Sequence, residues 1–106
     1  MKPLVLDVQK LKKFDEAKRH QETIWSDKQS KINLLCMKPG QEIITHTHHG
    51  NHMWVVMEGS GEFRSAGETQ TIEKGKIVIV PPLVDHGIRN ASTGDLVIAS
   101  FTAQGD

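Results

Sequence analysis

The sequence predicts an all-β domain, a sandwich or barrel of mostly antiparallel strands. From Glu22 onward, short apolar runs are interrupted at intervals of about ten residues, which is typical of all-β domains. The interruptions, among them "KPGQ", "EGSG", "EKGK" and "NASTGD", are rich in turn-forming residues and short enough to join strands as hairpins. A length of 106 residues accommodates one hydrophobic core, so we expect one domain.

Residues 1–30 are expected to form an N-terminal arm and the first strand, and residues 31–106 the rest of the domain. In the arm, the stretch "LKKFDEAKR" has four residues at helical spacing: Leu11, Phe14, Ala17 and Lys18. This periodicity is weak, so a helical turn and an irregular arm both stay open. The apolar run at residues 4–6 is too short for a signal-peptide core or a membrane span, and we expect a soluble, cytoplasmic protein.

Nine strands are expected from the apolar runs between the turn signals. They cover residues 23–25, 31–37, 41–48, 52–57, 61–65, 68–72, 76–80, 86–91 and 95–102. Pro81 and Pro82 should terminate the seventh strand, because proline has no backbone N–H for a ladder hydrogen bond. Cys36, in the second strand, is interpreted as a small buried hydrophobic residue.

The charge balance argues against several classes of partner. The 13 basic residues equal the 13 acidic ones in number, so no net charge favours nucleic acid or an anionic membrane. On charge alone, a small neutral ligand or a protein partner fits better. The single cysteine excludes an internal disulfide and a thiolate-rich zinc site, so any metal must be held by histidine and oxygen ligands.

The decapeptide "THTHHGNHMW", residues 45–54, contains four of the six histidines. Residues two apart on a strand share a face, so His46 and His48 should point to the same side with Cβ atoms about 7 Å apart. The Gly-Asn pair that follows permits a tight turn, which would bring His52 onto the neighbouring strand. His49 has the opposite parity and should face away. From these residues alone, a metal site and a surface histidine cluster are equally acceptable.

This segment resembles the first of two sequence motifs of the cupin family. That motif consists of Gly, five residues, His-x-His, three or four residues, Glu, six residues and Gly. Its anchors in this chain, at matching spacings, are Gly40, His46, His48, His52 and Gly59. The one departure is His52, which stands where the family usually has glutamate.

The segment "GKIVIVPPLVDHGIRN" resembles the second cupin motif, which consists of Gly, five residues, Pro-x-Gly, two residues, His, three residues and Asn. Its anchors in this chain are Gly75, Pro81, Leu83, His86 and Asn90. Leu83 stands in place of the second glycine. The two motifs together span residues 40–90, and two motifs in register are more specific than either alone.

The resemblance implies a jelly-roll β-barrel that binds one divalent transition metal per chain. The metal ligands it implies are His46, His48, His52 and His86. Without a carboxylate ligand the site keeps the full charge of the ion and should favour an anionic or oxygen-rich ligand in its open positions. Imidazole suits iron, manganese, nickel, copper and zinc alike, so the ligand type does not select the metal. An open six-coordinate site is expected rather than a closed tetrahedral zinc site.

Four residues are candidates for the pocket beside the metal: Trp54, Val56, Ile98 and Ser100. The first two share strand parity with His52, and Trp54 fits a pocket wall and a core position equally well. The resemblance makes the last strand a pocket wall, but which of its faces points inward stays open. Two acids near the histidines in sequence, Glu42 and Asp85, are of a kind more often found as turn or surface groups than as proton carriers.

Two functions follow from the resemblance, with a third as the weakest. The first is a metal-dependent enzyme, dioxygenase-like or an isomerase or lyase, acting on a small oxygen-rich molecule. The second is a non-catalytic module that binds a small molecule or sugar with the metal as anchor, since fold does not fix function and no committed acid or base is visible. The third is a purely structural metal site. Small cupins commonly pair through their sheets, so a homodimer is expected, and the N-terminal arm could reach the partner.

Overall fold

The structure, a computed structural model, describes residues 2–103, which form nine strands and one short helix. In chain order the elements are α1 (Val8–Leu11), β1 (His20–Ser26), β2 (Ser30–Met37), β3 (Glu42–His46), β4 (His52–Glu58), β5 (Ser60–Ser65), β6 (Glu68–Glu73), β7 (Ile77–Val80), β8 (His86–Arg89) and β9 (Leu96–Ala103). Every expected strand is present, so the all-β fold class is confirmed. Residues 104–106, which were assigned to the main part of the domain, lie outside the described residues.

The strands form two antiparallel sheets that pack face to face. One sheet has five strands in the order β1-β2-β9-β4-β7, and the other has four in the order β3-β8-β5-β6. The expected jelly roll is therefore confirmed, and of the two forms that stayed open it is a sandwich and not a closed barrel. Within residues 2–103 no ladder joins an edge strand of one sheet to an edge strand of the other, so side-chain packing holds the layers together.

The N-terminal arm packs on the outer face of the five-stranded sheet. Asp7 caps α1 by accepting a hydrogen bond from the Gln9 backbone N–H at 3.0 Å, and the helix ends at Leu11. Most of the stretch "LKKFDEAKR" is therefore irregular, and one helical turn precedes it. Three arm residues, Val8, Leu11 and Phe14, pack against a cluster of Leu34, Cys36 and Val97. No helix among the described residues is long and apolar enough to cross a membrane.

The main core lies between the two sheets. Leu35 and Met37 of β2 belong to it, whereas Leu34 and Cys36 lie on the other face of the strand beneath the arm. Both faces of β2 are buried for this reason, although side chains alternate between them. The residues that β4 and β9 contribute to the main core are Trp54, Val56, Leu96 and Ile98.

The turn after β7 is tied to the histidine segment. β7 ends at Val80, directly before the two prolines, as expected. Leu83, in the turn that follows, has a φ of 65°, the left-handed conformation that glycine adopts most easily. The family motif has glycine at this position, so the turn keeps a conformation suited to glycine although leucine occupies it. The Leu83 N–H donates to the carbonyl oxygen of His48 at 2.8 Å.

Candidate metal centre

Both sheets contribute histidines to one cluster. His46 is the last residue of β3, and its direct partner in the four-stranded sheet is His86, the first residue of β8. His52 is the first residue of β4 in the other sheet. β3 ends two residues earlier than expected, so His48 lies in the irregular segment between β3 and β4. His46 and His48 therefore meet through a loop and do not share one strand face.

The four imidazole rings lie close together. The ring centroids of His46 and His86 are 4.4 Å apart, and that of His48 lies 4.7 Å from His46 and 5.2 Å from His86. The His52 ring stacks on His48 at 3.7 Å with an interplanar angle of 16°, and its centroid is 5.0 Å from that of His86. Neutral imidazoles can crowd in this way, whereas imidazolium ions would repel each other.

Three of the four histidines form a potential ligand group. Candidate ligand atoms of His46, His48 and His86 all lie within 4.8 Å of one another. The structure thus brings together three of the four expected ligands, and the role of His52 as the fourth stays a prediction. His49, expected to face away, is exposed to solvent and does not belong to the group.

Backbone carbonyls orient two of the imidazoles. His46 Nδ1 lies 2.9 Å from the carbonyl oxygen of Ile44, and His86 Nδ1 lies 3.0 Å from that of Val84. A carbonyl oxygen only accepts hydrogen bonds, so each Nδ1 carries the proton and each Nε2 presents its lone pair. Support of this kind on the second ring nitrogen is typical of histidines that bind metals through the first.

His86 is the most deeply buried of these histidines, with an exposed fraction of 1%. Burial lowers its pKa below the usual value of 6.5, and the nearby His46 adds to this, while the Val84 carbonyl and Asp85 act in the opposite direction. The neutral form, which a metal requires, is therefore favoured at neutral pH. The Nε2 atom of His86 is buried and makes no hydrogen bond to another described residue.

The residues present fit a divalent transition-metal ion. A buried lone pair without a donor, beside two more imidazoles, is an arrangement that a cation would satisfy. The single thiol cannot take part, because Cys36 is buried in the cluster beneath the arm. Burial also raises the pKa of this thiol, in agreement with its expected role as a small buried hydrophobic residue.

A cavity of about 280 Å³ opens beside the imidazoles. Two of the four candidate pocket residues, Trp54 and Ser100, line it, and Trp54 also belongs to the core, so it fills both roles that were left open. Val56 and Ile98 do not line this cavity. They pack in the core between the sheets. Val56 lies two residues from Trp54 on the same face of β4, and Ile98 two residues from Ser100 on the same face of β9, where apolar side chains fill the interior.

The cavity has further lining residues that the sequence did not indicate. Lys31 and Asn33 reach it from β2, Thr102 from β9, and Arg19 from the segment before β1. The sequence did contain one signal for two of these residues, because Lys31 and Asn33 lie on the same strand face as the core residue Leu35. Polar residues in phase with a core position mark a strand whose inner face passes from core to cavity.

Neither acid near the histidines lines the cavity. The carboxylate of Glu42 lies 3.7 Å from Nη1 of Arg64, and that of Asp85 accepts a hydrogen bond from the Ala66 N–H at 2.9 Å. Both therefore occupy surface or turn positions, the more common role for such residues.

These features define a jelly-roll protein with a histidine-lined cavity between its sheets. The sequence profile of the cupin domain matches residues 33–102, which is more than half of the 106 residues. The chain therefore belongs to the cupin family, as the two motifs indicated. No curated protein matches the sequence.

Solved structures share this fold over nearly the whole chain. An uncharacterized conserved protein with a double-stranded β-helix domain from Klebsiella pneumoniae is similar with a TM-score of 0.89 and 22% identity, covering 99% of this chain and 93% of that one. An RmlC-like cupin protein from Desulfovibrio desulfuricans reaches 0.82 and 28%, covering 97% and 96%. A protein described as a predicted oxalate decarboxylase from Thermotoga maritima reaches 0.71 and 21%, covering 76% of each chain.

Proposed function

We propose that this cupin is a metal-dependent enzyme, dioxygenase-like or an isomerase or lyase, that acts on a small oxygen-rich molecule. The ligands of one divalent transition metal would be His46, His48, His52 and His86. The observation that carries this proposal is the convergence of imidazoles beside a cavity, with Nδ1 of His46 and His86 bonded to carbonyls and Nε2 left as ligand. When bound, the metal would supply Lewis-acid or redox chemistry to an oxygen-bearing ligand.

The position of His52 supports its role as the fourth ligand. It stands where the family motif has glutamate, and its ring already lies within 3.7 Å of His48 and 5.0 Å of His86 between centroids. Its backbone is fixed, because His52 pairs with Thr102 on one side and Val80 on the other. Only the side chain would have to turn for Nε2 or Nδ1 to face a shared ion.

Trp54 would shield and shape the reaction space. Its ring meets His86 edge to face, with centroids 5.3 Å apart and an interplanar angle of 71°, and it meets Phe63 in the same way at 5.9 Å. This wall of aromatic rings keeps water from one side of His86 and fixes its plane. The small cavity volume limits the substrate to a small molecule.

One observation favours a second function, a binding module with the metal as anchor. The described residues that line the cavity include no aspartate or glutamate that could move a proton there. At 21% identity, the likeness to the protein described as a predicted oxalate decarboxylase supports the fold alone and does not choose between the two functions.

Turnover distinguishes the two functions. We would load the protein anaerobically with iron(II) or manganese(II), add small hydroxy acids, keto acids and sugars, and follow oxygen uptake and products by NMR. Product formation that is lost in His48→Ala and kept in His49→Ala supports the enzyme, because only the first variant removes a proposed ligand. Calorimetric binding without product supports the module. Neither binding nor turnover by the metal-loaded protein would contradict both.

A further inference from the structure

The inner face of the five-stranded sheet carries a row of three polar residues at the level of the histidines. Lys31 of β2 pairs with Thr102 of β9, and Thr102 pairs with His52 of β4. Directly paired residues of antiparallel strands point to the same side, and all three line the cavity. Adjacent strands are about 4.8 Å apart, so the Lys31 and His52 backbones lie about 10 Å apart, and the lysine side chain can cross much of that distance.

No described residue neutralises the charge of Lys31. Lys31 is half-buried and forms no ion pair with another described residue. The other cation at the cavity, Arg19, is exposed and donates to the carbonyl oxygen of Glu42 at 3.3 Å. The charged described residues that line the cavity are therefore two cations, Arg19 and Lys31, and no carboxylate of a described residue lies among them.

Two buried donors belong to residues that line the same cavity. The Thr102 hydroxyl and the Trp54 indole N–H are buried and make no hydrogen bond to another described residue, with exposed fractions of 6% and 2% for their residues. Buried polar groups are nearly always paired, so these two donors are available to acceptors that a ligand would bring to the cavity. A second row lies beside the first on the same face of the sheet, in which Trp54 pairs with Ser100 and Ser100 pairs with Asn33.

We infer that the cavity binds a small organic acid with anionic oxygens at both ends, and that Lys31 determines this specificity. One end would bind the metal held by the histidines, so the inference rests on the proposed function. The other end, a carboxylate, would pair with Lys31, and the Thr102 and Trp54 donors would bind the remaining carboxylate oxygens. The ion and Lys31 together carry about three positive charges, so a dianion neutralises more of them than a monoanion does and its second carboxylate gives Lys31 a partner.

Succinate and butyrate test this inference, because these four-carbon acids differ by one carboxylate. We would measure their affinities by calorimetry on nickel-loaded protein. The wild type should bind succinate about tenfold more tightly than butyrate, the value expected for one charge-assisted hydrogen bond. Lys31→Gln should reduce the preference to about threefold or less, and Lys31→Arg, which keeps the charge, should retain most of it. Lys28→Gln is the matched control, since Lys28 is exposed and does not line the cavity.

The possible outcomes distinguish a failure of the proposed metal site from a failure of the proposed role of Lys31. Nickel content and circular dichroism are measured on each preparation before titration. Protein that binds no nickel would overturn both proposals. Protein that binds nickel but shows no preference for succinate, or a preference that Lys31→Gln leaves intact, would overturn the role of Lys31 alone. Equal losses in Lys31→Gln and Lys28→Gln would also overturn it, because the effect would then be one of net charge.

Discussion

Replacing Gly87 with alanine tests how closely the strands that carry His46 and His86 must approach. A Cβ at Gly87 would lie 2.7 Å from the carbonyl oxygen of Ile43 and 2.8 Å from the backbone nitrogen of Thr45, both in β3. The shorter distance is about 0.7 Å inside the 3.4 Å at which ordinary van der Waals contact begins. The β3–β8 register shifts between Ile43 and His46, the stretch that Gly87 faces. Glycine therefore lets the irregular part of β3 lie against β8.

The alanine must push these two strands apart. Overpacking costs about 1–3 kcal/mol, and we expect about 2–3 kcal/mol here, because the atoms in the way are backbone and cannot rotate aside. The displacement also separates His46 from His86, which are paired in the same ladder. Metal affinity should fall by about tenfold or more, since metal ligands tolerate little loss of geometry.

Urea denaturation and competition with a chromophoric zinc chelator measure the two effects. Gly94→Ala is the matched control, because a Cβ there meets nothing within 4 Å and the residue is not in the left-handed region. The control should change the free energy of unfolding by no more than about 0.5 kcal/mol. A Gly87→Ala variant that matches this control in stability and zinc affinity would refute the reasoning.

Three further predictions concern other parts of the molecule. Asn90→Ala should lower the free energy of unfolding by about 2–4 kcal/mol in urea titrations, because the fully buried amide donates to two backbone carbonyls; a loss below about 0.5 kcal/mol would contradict this. Cys36 should resist thiol reagents at pH 7 until denaturant is added, because burial raises its pKa and blocks access; rapid labelling of the folded protein would count against it. Binding of nickel(II) or copper(II) should quench the fluorescence of Trp54, whose ring centroid lies 5.3 Å from that of His86, and quenching should persist in Trp25→Phe and disappear in Trp54→Phe.

The strands could be predicted from sequence because their signals are local. Apolar runs and turn residues fix where a strand starts and stops, and β4 begins at His52 and β7 ends at Val80 as expected. The choice between sandwich and closed barrel could not be made from sequence, because pairing between the edges of distant strands depends on how the whole sheet twists, which no local pattern records. Helical turn and irregular arm both stayed open for a related reason: Leu11 and Phe14 are apolar because they cover Cys36 and its neighbours, whatever their backbone conformation.

At the candidate site, motif spacing located the histidines, whereas the backbone carbonyls that orient their imidazoles were visible only in the structure. The carbonyl of Val84 orients His86 through a backbone path that spacing does not specify. Lys31 escaped notice because its place beside His52 depends on two pairings between strands distant in sequence, β2 with β9 and β9 with β4. Thr102, the middle residue of that row, shares strand parity with the pocket candidate Ser100, but nothing in the sequence placed it beside His52.

The central claim is that four histidines of this chain hold one transition-metal ion. The most direct test is elemental mass spectrometry of tag-free protein purified without chelator, with single alanine variants of His46, His48, His52 and His86 and with His49→Ala as the adjacent control. We expect about one iron, manganese, nickel, copper or zinc ion per chain in the wild type and the control, and a large loss in each of the four variants. Wild-type protein without metal that takes up none on reconstitution, or a His52→Ala variant with undiminished metal, would contradict the four-histidine site.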